Sequence, residues 1–187
     1  MKAARKLATY DDIINAPEHM VAEIVDGELY TSPRPATPHA RAATVVSARL
    51  IGEFDGPSTG ADAPGGWWFL NEPELHLGAD VLVPDIAGWR RERWTAIPNV
   101  VGITDPPDWV CEVLSPSTAR LDRAKKMKVY AREGVGHLWF LDPILRVLET
   151  YRLKEGEWVL IATHEGDGAV HAVPFDAVAL AMGRWWL

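Results

Sequence analysis

The chain is short of sulfur, of long apolar runs and of positive charge, and each shortage closes off a class of protein. A single cysteine among 187 residues, Cys111, excludes an intramolecular disulfide and suits a reducing cytoplasm. It lies in the apolar run Trp109-Val-Cys-Glu-Val, where it reads as a small buried hydrophobe. No stretch approaches the ~18 apolar residues of a membrane-spanning helix. The basic start Met1-Lys-Ala-Ala-Arg-Lys6 leads into Leu7-Ala-Thr-Tyr-Asp-Asp rather than an apolar segment, so no signal peptide is read. A soluble, cytoplasmic protein with no membrane partner is expected. The formal net charge of −7 counts against a general DNA coat, because phosphate neutralisation supplies most of the affinity of such proteins. It leaves a nuclease open, whose acids can be masked by a metal and whose cations can be local. A Gly-rich phosphate loop, a His/Cys zinc spacing and a Gly-x-Ser-x-Gly elbow are all missing, which removes the main supports for nucleotide-dependent and serine-hydrolase functions.

What is present is ordinary globular material, 48% hydrophobic and 24% charged, of a length that suits one domain. Residues 9–20 open as a helix behind Thr9, and Met20 to Tyr30 reads as a hairpin about Asp26-Gly27. Ser32 to His39 carries three prolines and reads as a loop, and Ala40 to Phe54 as an amphipathic helix. Residues 55–66 form a connector. Strands are expected over Trp67–Leu77, Val81–Trp89 and Trp109–Leu114, with residues 90–108 as a surface excursion. Ser115-Pro-Ser-Thr118 then starts a helix over about residues 119–133, ended by Gly134-Val-Gly136. His137–Leu141, Arg146–Leu153, Glu157–Thr163 and 170–175 read as further strands, giving a mixed α/β sheet. The tail Trp185-Trp186-Leu187, if exposed, would be a dimer contact.

Asp85 and Glu112 stand in two runs that otherwise read as buried strands. A buried carboxylate is costly unless it is paired or bound to a cation. If the two strands are neighbours, the carboxylates converge and can hold an oxygen-preferring ion such as Mg²⁺, with Mn²⁺ as a substitute. Such an ion lowers the pKa of a bound water and orients a phosphodiester, and a nearby lysine steadies the charge that develops. On the following helix Asp122, Lys126 and Tyr130 are spaced by four and share a line. Leu121, Ala124, Met127 and Ala131 mark the face expected to turn to the core. Lys126 borders that face, and Lys125 is the alternative. Spacing alone leaves Asp122 and Lys126 equally readable as a surface ion pair. Glu23 is either a third acid or a charge on an exposed hairpin. His39 either touches a phosphate or caps a turn. Glu74 and His76 share a strand face that is either part of the site or solvent-facing. Arg90, Arg91 and Arg93, and then Arg120, Arg123, Lys125, Lys126 and Lys128, are local basic clusters, phosphate-binding or merely solvated.

One ordered set of motifs resembles a known family. It runs from Glu23-Ile-Val-Asp-Gly-Glu-Leu through Ser32-Pro with His39, Val83-Pro-Asp85, and Glu112-Val-Leu-Ser-Pro-Ser-Thr118. Asp122 with Lys126 and Tyr130, Gly134-Val, and Leu138-Trp-Phe-Leu-Asp-Pro143 complete it. Together they resemble the Uma2 family of restriction-endonuclease-like proteins, over about residues 20–160, with the Glu-Val-Leu-Ser-Pro-Ser-Thr block the most specific. The resemblance implies a PD-(D/E)XK nuclease fold, a mixed sheet flanked by helices with additional antiparallel strands. It implies that Asp85 and Glu112 are the two acids of the motif and that the substrate is DNA. The lysine of that motif belongs two residues after the second acid, where this chain has Leu114. The resemblance implies that its task has moved to Lys126. A homodimer is expected, since dimers are the commonest oligomers and double-strand cleavage by single-site nucleases needs two sites. The rival reading is a catalytically degenerate nuclease fold that binds nucleic acid or protein. A carboxylate-pair glycosidase is weaker still, with no sugar-stacking cleft legible.

Overall fold

A computed structural model describes residues 7–57 and 64–186. The first six residues, residues 58–63 of the expected connector, and Leu187 lie outside them. Asp12 accepts a hydrogen bond from the Thr9 backbone at 2.7 Å where α1 (Tyr10–Ile14) begins. β1 (Met20–Val25) and β2 (Glu28–Pro33) form the hairpin expected about Asp26-Gly27. Both turn residues have positive φ, 52° and 71°, as a two-residue turn matching the strand twist requires. α2 (Thr37–Phe54) starts inside the proline stretch that was expected to be a loop, because proline is compatible with the first turn of a helix. His39 therefore belongs to that turn.

Two expected strands are each broken in two. Trp67–Leu77 divides into β3 (Trp67–Asn71) and β4 (Glu74–Leu77), and the next run into β5 (Asp80–Leu82) and β6 (Ile86–Arg90). Pro73 and Pro84 sit in the two breaks, where a residue with no N–H to give and a fixed φ interrupts a ladder. The breaks face each other, with the Glu72 N–H donating to the Asp85 carbonyl at 3.1 Å. Asp85 consequently lies at a bend between two sheets and not inside a strand.

The excursion over residues 90–108 is partly structured. Its β7 (Gly102–Ile103) pairs with β4, and Trp94 stacks on Trp89 with centroids 4.5 Å apart. β8 (Trp109–Val113) leads into a continuous helical segment made of α3 (Ala119–Leu121), a π-helical stretch (Asp122–Lys126) and α4 (Met127–Arg132). β9 (His137–Asp142), β10 (Val147–Lys154) and β11 (Glu157–Glu165) follow as expected. The strand expected over 170–175 shrinks to β12 (Ala169–Val170), which pairs with β13 (Leu180–Ala181). Trp185 and Trp186 are buried, so this part of the tail is core and not the dimer contact that exposure would have made it.

The main strands form a five-stranded sheet, β2-β1-β5-β4-β7, and a six-stranded sheet, β11-β10-β9-β8-β6-β3. β8 runs parallel to β9 and antiparallel to β6. One face of the six-stranded sheet, with Trp109, Cys111 and Val113, packs on α2 and on the chain end around Phe175 and Trp185. The other, with Val110 and Leu114, meets α4 and the five-stranded sheet. Alternation along β8 puts Glu112 on this second face, opposite the π-helical stretch.

Candidate active site

Five side chains from four elements meet there. Lys126 Nζ lies 2.8 Å from Glu112 Oε1, 2.9 Å from Glu23 Oε1 and 3.6 Å from Asp122 Oδ1. The Tyr130 hydroxyl donates to Glu112 Oε1 at 2.6 Å. Val83, beside the strand break, closes the ring: its N–H donates to Glu23 at 2.8 Å and its carbonyl accepts from Lys126 at 3.5 Å. All five side chains are buried. Asp122 and Lys126 are thus no surface pair, and Glu23 is no exposed hairpin charge.

The π-helical stretch explains why periodicity misjudged this helix. Its wider turn admits a residue that a 3.6-residue template does not register. Asp122, Lys126, Val129 and Tyr130 face inward. Ala124, expected in the core, is exposed, and Leu121, Met127 and Ala131 are only half-buried. A polar inward face is tolerated because β1 and β8 present carboxylates to it. Lys125 goes elsewhere, to Glu28 at 3.0 Å.

Asp85 stands at the end of the same strand pair, where Ile86 lies opposite Cys111. Its Oδ2 accepts the Val113 N–H at 2.7 Å and its Oδ1 is 3.3 Å from His39 Nε2. The other ring nitrogen of His39, Nδ1, is buried without a hydrogen-bond partner. Asp85, Glu112, Glu23, Asp122, Lys126 and His39 all line one cavity of about 290 Å³. Glu74 and His76 are not brought to it. Glu74 accepts from the Tyr10 hydroxyl at 2.8 Å and pairs with His76 at 2.7 Å. Sequence reasoning passed over Arg34 and Glu72, which stand on the cavity's rim. The only signal for either was its place next to a proline.

Four carboxylates face one ammonium and one imidazole, and the electrostatics record the excess. Burial pushes Glu112 well above the usual carboxylate range, Lys126 pulls it back, and Asp122 and Asp85 push it further up. Asp122 is raised to about 6, chiefly by burial and against the pull of Lys126. Burial disfavours charge on Lys126, but Glu112 first and then Glu23 outweigh it and hold the ammonium protonated. Burial likewise opposes protonation of His39, and Asp85 reverses the sign, so its pKa is raised. Hard oxygen donors in negative excess fit a divalent cation of the Mg²⁺ type. Among the described residues no three His, Cys, Asp or Glu side chains stand ready to hold a metal together. Lys126 draws three of the acids onto itself. Much of the basic surface is tied up too, with Arg91 on Asp55, Arg93 on Asp105 and Asp108, and Arg123 on Glu149.

A family model described as "Uma2: Putative restriction endonuclease" matches residues 7–183. The chain belongs to the Uma2 family. A crystal structure described as "a putative nuclease belonging to DUF820 from Anabaena variabilis ATCC 29413" resembles this Uma2 chain with a TM-score of 0.74 at 20% identity. The likeness covers 95% of this chain and 97% of that one. At that identity it speaks for the fold, the restriction-endonuclease-like mixed α/β architecture expected from the motifs. No curated protein matches the chain. Among the described residues no helix is long and apolar enough to cross a membrane.

Proposed function

We propose that this Uma2 protein is a metal-dependent nuclease that hydrolyses DNA phosphodiester bonds. The observation that carries the reading is the convergence in one cavity of half-buried Asp85 with buried Glu112 and Lys126, a lysine delivered from the helix instead of from position 114. Leu114 packs in the apolar core and leaves that place to it. Asp85 and Glu112 would hold Mg²⁺ or Mn²⁺, with Glu23 or Asp122 as further oxygen donors. When bound, the ion supplies Lewis acidity and a more acidic water. The chain's own groups do the rest. Tyr130 fixes the orientation of Glu112, and the Val113 N–H and His39 fix Asp85. Lys126 would offer a charged donor to the phosphate, its ammonium held in the cavity by Glu112 and Glu23. The low-dielectric walls strengthen each of these interactions.

The test is cleavage of circular single-stranded and duplex DNA by the purified protein with Mg²⁺ or Mn²⁺. Asp85→Asn should abolish it without altering the circular dichroism spectrum, and cleavage undiminished in that variant sinks the assignment. A second reading, a degenerate fold serving as a binding module, is favoured by the way Lys126 already engages three of the acids. Calorimetric titration separates the two, because a module gives no heat with millimolar Mn²⁺.

A further inference from the structure

The way into the cavity constrains what can reach its floor. Glu112 and Lys126 are 2% exposed and Asp122 3%. Asp85 is less covered, its side chain 17% exposed. One flank of the cavity is Pro33-Arg34-Pro35-Ala36 and another is Ser115-Pro116-Ser117. Prolines fix φ, so these flanks resist widening. Both are also anchored. Pro33 pairs with Met20 at the end of β2, Ala36 caps α2, and the Ser115 hydroxyl bonds those of Ser117 and Thr118 at 2.9 and 3.0 Å.

An intact duplex is a stiff rod, straight over a persistence length of about 50 nm, with its phosphates fixed on a convex surface. Glu112 and Lys126 lie beneath the protein surface, and a duplex cannot bring a phosphate held on its convex surface down to them without opening. A single strand can bend a phosphate and its sugar inward. Val21, Pro33, Pro35, Val83 and Pro116 are apolar, and among the described residues no Phe, Tyr or Trp lines the cavity, so recognition there falls on the phosphate and not on stacked bases. Arg34 is exposed on the rim and has no ion pair among the described residues. A guanidinium placed so can take two phosphate oxygens at once.

We infer that the site takes phosphodiesters of single-stranded DNA, drawn in past Arg34, and does not take those of an intact duplex. Cleavage rests on the nuclease reading above, whereas selective binding does not. With Mn²⁺ and the full chain, kcat/KM on circular single-stranded DNA should exceed that on relaxed closed-circular duplex by about 100-fold, the rate equivalent of having to unpair and unstack the duplex first. Arg34→Ala should raise KM for the single strand about tenfold and leave kcat within about twofold, as loss of ground-state phosphate binding does. Equal rates on the two circles overturn the inference. Fluorescence anisotropy with a labelled oligonucleotide and its blunt duplex, in Ca²⁺, keeps the two readings apart. If neither circle is cut, tighter binding of the single strand, weakened by Arg34→Ala, upholds the access inference and removes the nuclease. Equal binding, tighter binding of the duplex, or no binding overturns it.

Discussion

The two faces of β8 look onto opposite environments. On one, Trp109, Cys111 and Val113 meet α2 and a ring of aromatics, where Phe175 packs tilted or edge-on against Phe54, Trp67, Phe69, Trp109 and Trp139 with centroids 4.9–5.5 Å apart. On the other, Glu112 shares a pocket with Lys126, Tyr130 and two more acids. The first face stabilises, since burying each large apolar side chain contributes about 1.5–3 kcal/mol. The second is expensive, because the desolvation of buried ion pairs commonly cancels their attraction. A sheet that buries both teaches where stability is made and where it is spent. If that division holds, stability and activity come apart when either face is altered.

Lys126→Met should have the largest effect. It leaves Glu23, Glu112 and Asp122 buried without their cation, at a cost of about 3–5 kcal/mol by urea denaturation, and abolishes nuclease activity. Adding Glu112→Gln should recover part of the stability and none of the activity. Phe175→Ala, on the other face, should cost about 3–5 kcal/mol through the cavity it leaves. Activity per folded molecule should nevertheless persist, and a loss of activity in the folded fraction would break the comparison. Mn²⁺ at 100 times its Kd should stabilise the native protein by about 2.7 kcal/mol, read as a rise in Tm. Asp85→Asn should remove that rise, whereas Phe175→Ala should leave it.

Asp122→Asn should show the smallest effect, with a sign that identifies the face. The Asp122 carboxyl is raised from 3.8 to about 6 in the fold, so the native state binds more protons than the unfolded one between those values. Its contribution to stability is fully present below the unfolded pKa and is lost as pH rises through about 6. In EDTA, the substitution should therefore gain about 1–2 kcal/mol at pH 7.5 relative to the native chain and little at pH 4. A gain that does not depend on pH would contradict the shift.

Local chemistry made several parts of the molecule legible in advance. Asp26-Gly27 announced its hairpin because few residue pairs accept two successive positive φ values. The face of Glu112, shared with Val110 and Leu114, follows from the alternation of strand side chains, whatever the surroundings. The failures have equally specific causes. Pro73 and Pro84 were visible, but each stands in a stretch that otherwise reads as one strand, and only the pairing of β3 with β6 and β4 with β5 shows the bend. The π-helical stretch displaced the expected core face, since periodicity assumes an unbroken 3.6-residue repeat. From strand spacing alone Glu74 and Glu23 read alike, and only the family motif favoured Glu23. One turned to Tyr10 and His76, the other to Lys126.

By itself the sequence determined most of the strands and helices, the alternation along β8, and the family motifs that bring Asp85, Glu112 and Lys126 under one suspicion. Only the tertiary structure decided which lysine serves the acids, that Glu23 joins them, and that they lie buried in a cavity flanked by prolines. The reason is range. Turn and strand preferences act over a few residues, whereas an ion pair forms only within about 4 Å. Glu23 and Lys126, far apart along the chain, come within 2.9 Å only after β1, β8 and the helix have packed.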